Sequence, residues 1–463
     1  MKMVKFMLFF VIALVSAVIL SACFDPTPVD APPEQAAEVE AEAPDVEDET
    51  DAPPADLAPG DRPSIIIWAG AETLDGEPDV FTLVAESFGV AFDVDVERIS
   101  VPYVDKRNII GPAIMAGEGP DIFTFTPGAG FVGTLARAGL TYDLTDVAQE
   151  RGWWDRHVTW TLEQGIFDGR LFAIGTEMEA LGIFYNKDIF EEVGATIPQT
   201  YDEFLALCEL LLNEGVLPLM IDNLDQWPGF HYESLWLNSF VGHEAVAEVL
   251  SLEAGWDQPS FGYALDQLYY LVTRGFVNEG INSLSYDDAN SLFVAGAAAM
   301  RPTGGWMVNW LGHEDQLGDR VGFFFLPPAE GIEMAAPGGI GETWAINAFT
   351  AHPEICFDFI DYIFTGDRIR MWIEQHSSIP PVVGVDVLDF DVSPLMREYY
   401  LVMTSVDAVG FNIDVLMPAR VNDAARGYMQ ELLAGQITGI EAMRMKQQAF
   451  EEEIEAGNFT PLE

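Results

Sequence analysis

Carboxylates and tryptophans set beside glycines are the residues of this chain with the plainest chemical use. They occur in Trp68-Ala69-Gly70-Ala71-Glu72, in Gly304-Gly305-Trp306, in Gly341-Glu342-Thr343-Trp344, and as Glu177 and Glu179, two residues apart. Trp227 lies in the loop Asp225-Gln226-Trp227-Pro228-Gly229. Carboxylates accept hydrogen bonds from hydroxyls and pair with ammonium groups. Indole faces suit the C–H faces of a sugar ring or a cation. Glycine lets backbone approach a ligand closely or turn sharply. A glycosidase would need two carboxylates across a bond, one with a raised pKa. Glu177 and Glu179 would share one side of an extended strand, with no evident split into acid and base. Six histidines are scattered without a His-x-x-x-His spacing. A nucleophile elbow, a Walker loop and a dinucleotide fingerprint are all missing from the sequence. The expectation is therefore binding, with no cofactor or metal. A carbohydrate-active enzyme is the weaker alternative.

Alternating strands and helices must position these residues. Ile65-Ile66-Ile67-Trp68 follows a proline-rich stretch and reads as a buried strand. A helix is expected over 78–88, a strand over 92–99, a helix over 106–116 ended by Gly117, and a strand from Pro120 to Phe125. That order implies an α/β domain with a largely parallel sheet. Ligands of such sheets bind at the strands' C-terminal edges, which directs attention to Trp68–Glu72 and to 125–128. Longer helices are expected over 201–212, 261–273, 286–295, 422–434 and 439–456. Thr200 is placed to cap the first of these, with Glu203 completing a capping box.

The chain's 463 residues suffice for two packed domains, and 49% are hydrophobic. Its formal net charge is −54, and Lys2, Lys5, Lys106, Lys187 and Lys446 are all its lysines. Such a surface repels nucleic acid and anionic lipid headgroups. It suits life in high salt, where repulsion is screened, and it could also concentrate a cation. Lys2 and Lys5 precede an apolar run from Phe6 to Leu20, too short to span a membrane and flanked like a signal peptide. Leu20-Ser21-Ala22-Cys23 resembles the bacterial lipobox, which implies a lipid on Cys23 that holds the protein on the outer side of a membrane. Residues 24–63, rich in Pro, Glu, Asp and Ala, read as a disordered tether. Cys208 and Cys356 read as buried helix positions.

Five segments in order resemble the extracellular solute-binding proteins of carbohydrate ABC importers, the maltose-binding-protein-like family. They are Gly119-Pro120-Asp121-Ile122; Leu171 through Glu177 with Tyr185-Asn186-Lys187 after it; Ile197-Pro198-Gln199-Thr200-Tyr201-Asp202-Glu203-Phe204; Phe293 through Gly296 with Ala299-Met300 and Gly304-Gly305-Trp306; and Gly338 through Ile346. The resemblance covers Ser64 to about Ala456. It implies a type II periplasmic-binding fold of two α/β lobes joined by hinge strands, the first lobe holding 64–175 and 332–380, the second 176–331 and 381–463. Chain crossings are expected near 175–179, 327–331 and 380–384. A solute, a sugar or oligosaccharide, would sit in the cleft, and the lobes would close on it for delivery to importer permease subunits. The residues expected to hold it are Trp68, Glu72, Asp121, Glu177, Glu179, Trp227, Trp306, Glu342, Trp344 and Arg420. Asp121 could instead brace its strand, and Arg420 could bind an acidic sugar or pair with a cleft acid. A polyamine is the rival ligand, a sensor subunit the rival role. A monomer is expected.

Overall fold

The computed structural model describes residues 62–70, 79–406 and 408–462. The leader, Cys23, most of the tether and Glu72 lie outside the described residues. In chain order the strands are β1 (Ser64–Trp68), β2 (Asp95–Ile99), β3 (Ile122–Phe125), β4 (Ile166–Phe167), β5 (Arg170–Leu171), β6 (Ile174–Gly175), β7 (Met178–Asn186), β8 (Met300–Gly304), β9 (Val321–Phe324), β10 (Ala335–Ile340), β11 (Thr343–Ile346) and β12 (Ala408–Phe411).

They form two five-stranded sheets and a small hairpin of β4 and β5. The first sheet runs β2-β1-β3-β11-β6. β1 is parallel to β2 and β3, as the strand–helix alternation requires. β11 and β6 add in antiparallel fashion. The sheet is thus mixed rather than largely parallel, because β6 follows the β4–β5 hairpin and β11 returns from the second sheet, neither through a helical crossover. In the second sheet β10 pairs parallel with β12 and antiparallel with β7, and β8 and β9 both pair antiparallel with β7.

Each sheet has its own core. Phe81, Phe88, Trp153, Trp344, Phe359 and Trp372 fill the first lobe on one face of its sheet. Phe123, Phe125, Phe131 and Ile110 fill the other. The second lobe is built round Phe204, Trp236, Leu265, Tyr428 and Phe450. This is the two-lobed α/β arrangement. The helices lie close to their sequence expectations: Val80–Phe92, Tyr103–Ala116, Tyr201–Asn213, Pro259–Thr273, Tyr286–Val294, Ala419–Leu433 and Gly439–Glu455. Thr200 Oγ1 accepts from the Glu203 amide at 3.2 Å, but the Glu203 carboxylate accepts from Gln199 rather than from Thr200. A complete capping box occurs instead at Thr438 and Glu441. Cys208 and Cys356 are buried free thiols.

The chain leaves the first sheet after Gly175 and enters the second at Met178. It returns between Ile340 and Thr343, not near 327–331. β10 falls inside the stretch 332–380 expected in the first lobe, yet it belongs to the second sheet because three of its residues pair with β7. The two passages run antiparallel, with Gly339 opposite Glu179 below the crossing and Thr343 opposite Gly175 above it.

Candidate binding site at the lobe crossing

The crossing is held by backbone. The Thr176 amide donates to Glu342 O at 2.9 Å, and the Gly341 amide to Glu177 O at 3.1 Å. Thr176 Oγ1 donates to the same Glu342 carbonyl and accepts from the Glu342 amide, each at 3.0 Å. Two strands joined this way, without a helix between them, make a narrow two-stranded hinge. The Glu177 carboxylate folds over the bare backbone of Gly341, where a Cβ would lie 1.9 Å from Glu177 Oε1.

The hinge thereby gathers Glu177, Glu179 and Glu342. Lys106, from helix Tyr103–Ala116, places its Nζ 2.7 Å from both Glu342 oxygens and from Thr124 Oγ1. It is 1% exposed, so one of the chain's few lysines is spent on a buried ion pair. Burial first, and then the Glu342 charge, push the Glu177 carboxyl up to about 7. Burial also holds Glu179 well above the ordinary carboxylate range, with further repulsion from Glu177, Glu342 and Asp414. Asp414 follows β12. Burial raises it to about 6 against the opposing charge of Arg107. Its Oδ1 is buried without a hydrogen-bond partner.

An aromatic wall adjoins these acids on the second lobe. The ring centroids of Trp306 and Trp227 are 6.2 Å apart, and His231 lies 5.0 Å from Trp306. Trp306 Nε1 donates to Tyr286 Oη at 2.6 Å, which fixes the indole plane. Burial first, then the charges of Arg301 and Arg107, lower His231 to about 3, so it is neutral. Beneath the wall Arg301 is paired with Asp222 at 2.6 Å, both fully buried.

The lobes meet where glycine allows it. A Cβ on Gly128, at φ +102°, would lie 1.8 Å from Val415 O, and one on Gly130 would lie 2.7 Å from Met417 O. The loop after β3 therefore rests on the segment after β12, close to Asp414.

Of the expected site residues, Glu177, Glu179 and Glu342 come together at the hinge, and Trp227 and Trp306 form the wall. Trp68 ends β1, half-buried over the Phe123–Phe125 cluster, with its Nε1 unpartnered. Three others are elsewhere. Asp121 precedes β3, at the strand's N-terminal end. It accepts from the Ile66 amide at 2.8 Å and from Thr350 Oγ1 at 2.5 Å, so it braces strands rather than facing the cleft. Trp344 is 1% exposed and packs on Phe81 and Phe359, because strand alternation turns it into the core. Arg420 is an exposed residue paired with Glu452 and Glu453 of the last helix. Lys106, Arg107, Gln164, His231, Tyr286 and Asp414 were not anticipated. Only Lys106 carried a signal, the rarity of lysine.

The family model for bacterial extracellular solute-binding proteins matches residues 75–365. The multiple sugar-binding protein of Streptococcus mutans is 24% identical over 300 residues, 63% of this chain and 69% of that protein. The galactooligosaccharide-binding protein of Bacillus subtilis is 24% identical over 335 residues, 69% of this chain and 72% of its own. Among solved structures, a chitin oligosaccharide binding protein superposes with a TM-score of 0.74 at 21% identity, over 85% of this chain and 99% of that one. The maltose-bound MalE3 of T. maritima gives 0.69 at 21%, over 84% and 99%.

Proposed function

Since the chain belongs to the bacterial extracellular solute-binding proteins, we propose that it captures a sugar or oligosaccharide outside the cell and delivers it to the permease of an ABC importer. The observation that carries this reading is the union of hinge and aromatic wall. Gly305 packs against Glu179, and the Trp306 amide bonds the Glu179 carboxylate. Acceptors for hydroxyls thus stand beside a flat apolar face for C–H groups, as a sugar requires. The sugar-binding functions borne by the names of the relatives support the same choice.

Glu177, Glu179, Trp306 and Trp227 contact the solute, with Trp68 reaching it from the first lobe. Because both lobes contribute, a bound sugar favours the closed form, and closure is what the permease reads. The protein works as a monomer without catalysis. Residues 1–23 direct export, Cys23 carries the lipid, and residues 24–63 are the tether. The acidic surface serves a saline medium.

A thermal-melting screen against neutral, acidic and amino sugars, polyamines and amino acids tests this. A ligand at a hundredfold excess over its Kd adds about 2.7 kcal/mol of stability. A shift with one sugar class, lost in Trp306→Ala, is expected. Shifts with amino acids or polyamines alone would overturn it.

A further inference from the structure

Resting on that sugar reading, we propose that the solute is an amino sugar whose ammonium group is held by Glu179, Asp414 and Gln164. Four carboxylates interact at the crossing: Glu177, Glu179, Glu342 and Asp414. Three cations act on them: Lys106, Arg107 and, at Asp414, Lys446, which is itself paired with Glu233. Lys106 is committed to Glu342 and Thr124 at 2.7 Å each, and Arg107 bonds Thr126 Oγ1. Acceptors outnumber donors in a place where water is scarce, and an unsatisfied buried acceptor is costly.

Two orphaned acceptors mark where a positive group belongs. Asp414 is 8% exposed, and its Oδ1 lacks a hydrogen-bond partner. Gln164 Oε1 is also buried and unpartnered. It reaches from the first lobe over β10, where a Cβ on Gly339 would lie 3.9 Å from it and 3.6 Å from Asn412 Cβ. Gly339 is the ladder partner of Glu179, and Asn412 is two residues before Asp414. Gln164 Oε1 therefore lies over the strand position opposite Glu179, and the charge of Asp414 acts on the Glu179 carboxyl. A hydroxyl has one proton to offer such a group of acceptors. An ammonium has three and a full charge. The nearby indoles of Trp306 and Trp227 explain why the cation rides on a ring rather than on a bare chain.

Calorimetric titration of the full chain with four probes tests this: a β-1,4 glucosamine dimer, its N-acetylated form, the glucose dimer of the same linkage, and spermidine. The glucosamine dimer is expected to bind about 30-fold tighter than the glucose dimer, which is the range of one desolvated charge contact. Asp414→Asn should cut that ratio to about threefold or less. Gln164→Leu should lower the same ratio, and serves should Asp414→Asn fail to fold. Equal affinity for the charged and neutral dimers, or no binding of the glucosamine dimer, would overturn the amino-sugar assignment while a bound neutral sugar keeps the parent reading. Binding of spermidine alone would overturn both.

Discussion

Two groups of carboxylates, one at the hinge and one on the outer face of the first lobe, answer burial in opposite ways. Asp361 lies on helix Pro353–Ile363, partly buried. Burial alone would raise its pKa, but bonds from Arg156, Arg151 and the Trp153 indole outweigh burial and hold the carboxyl below the usual range. Arg151 also bonds Asp358 at 2.8 Å and Glu354 at 3.0 Å. At the hinge Glu177 meets Glu342 and Glu179, and its carboxyl rises to about 7. Same chemistry, opposite sign: the Asp361 cluster is saturated by donors from its own fold, whereas the hinge is left short of them. A saturated cluster holds structure together. A deficient one stores affinity for whatever brings the missing donors.

The strongest way to sharpen this contrast is to break a fully buried ion pair outright. Arg301→Ala leaves Asp222 fully buried without its cation, with the Tyr232 hydroxyl still bonding Oδ1 at 3.1 Å. It is expected to cost about 3–5 kcal/mol in urea denaturation. Asp361→Asn should destabilise by about 2 kcal/mol, since it leaves three donors poorly matched. At the hinge the sign reverses. Glu177→Gln should raise the melting temperature of the ligand-free protein at pH 8 by a few degrees and weaken the sugar on the order of tenfold.

The pH profile carries the same contrast. Glu177 is raised in the folded state, so its contribution is fully present below its unfolded value near 4.5 and is lost as pH climbs through about 7. Asp361 is lowered, so its contribution is present above its unfolded value near 3.8 and disappears as pH falls below that. Ligand-free stability should therefore peak near pH 4 and decline from about pH 4.5 through 7. Glu177→Gln should flatten the alkaline limb alone, and Asp361→Asn the acid limb alone, as followed by melting from pH 3 to 9. The smallest effect belongs to Arg420→Ala. Its ion pairs are exposed, so less than about 1 kcal/mol of stability and no affinity should be lost.

Much of the fold was legible in the residues. Period and capping placed the long helices within a few positions, because amphipathic faces and glycine stops are local signals. The return crossing was misplaced because Pro327, Pro328 and Gly331 look like a break, while the true switch at Gly341 is set by pairing with β7. The site was legible only in part. Glu177 and Glu179 stand out by spacing and Trp306 by its glycines. Asp121 and Trp344 misled, since a motif shows neither which end of a strand nor which face a side chain takes. Lys106 and Glu342 are 236 residues apart, and Gln164 meets Gly339 of β10 only through the folded hinge. Such juxtapositions belong to the tertiary structure.

The measurement that tests the account most directly is calorimetric titration of one sugar, the best of the melting screen, into Glu179→Gln and Asp361→Asn side by side. The account predicts that Glu179→Gln weakens binding tenfold or more while Asp361→Asn, though less stable, binds like the parent protein. Parental affinity in Glu179→Gln would contradict it, because the deficient cluster at the hinge would then play no part in holding the solute.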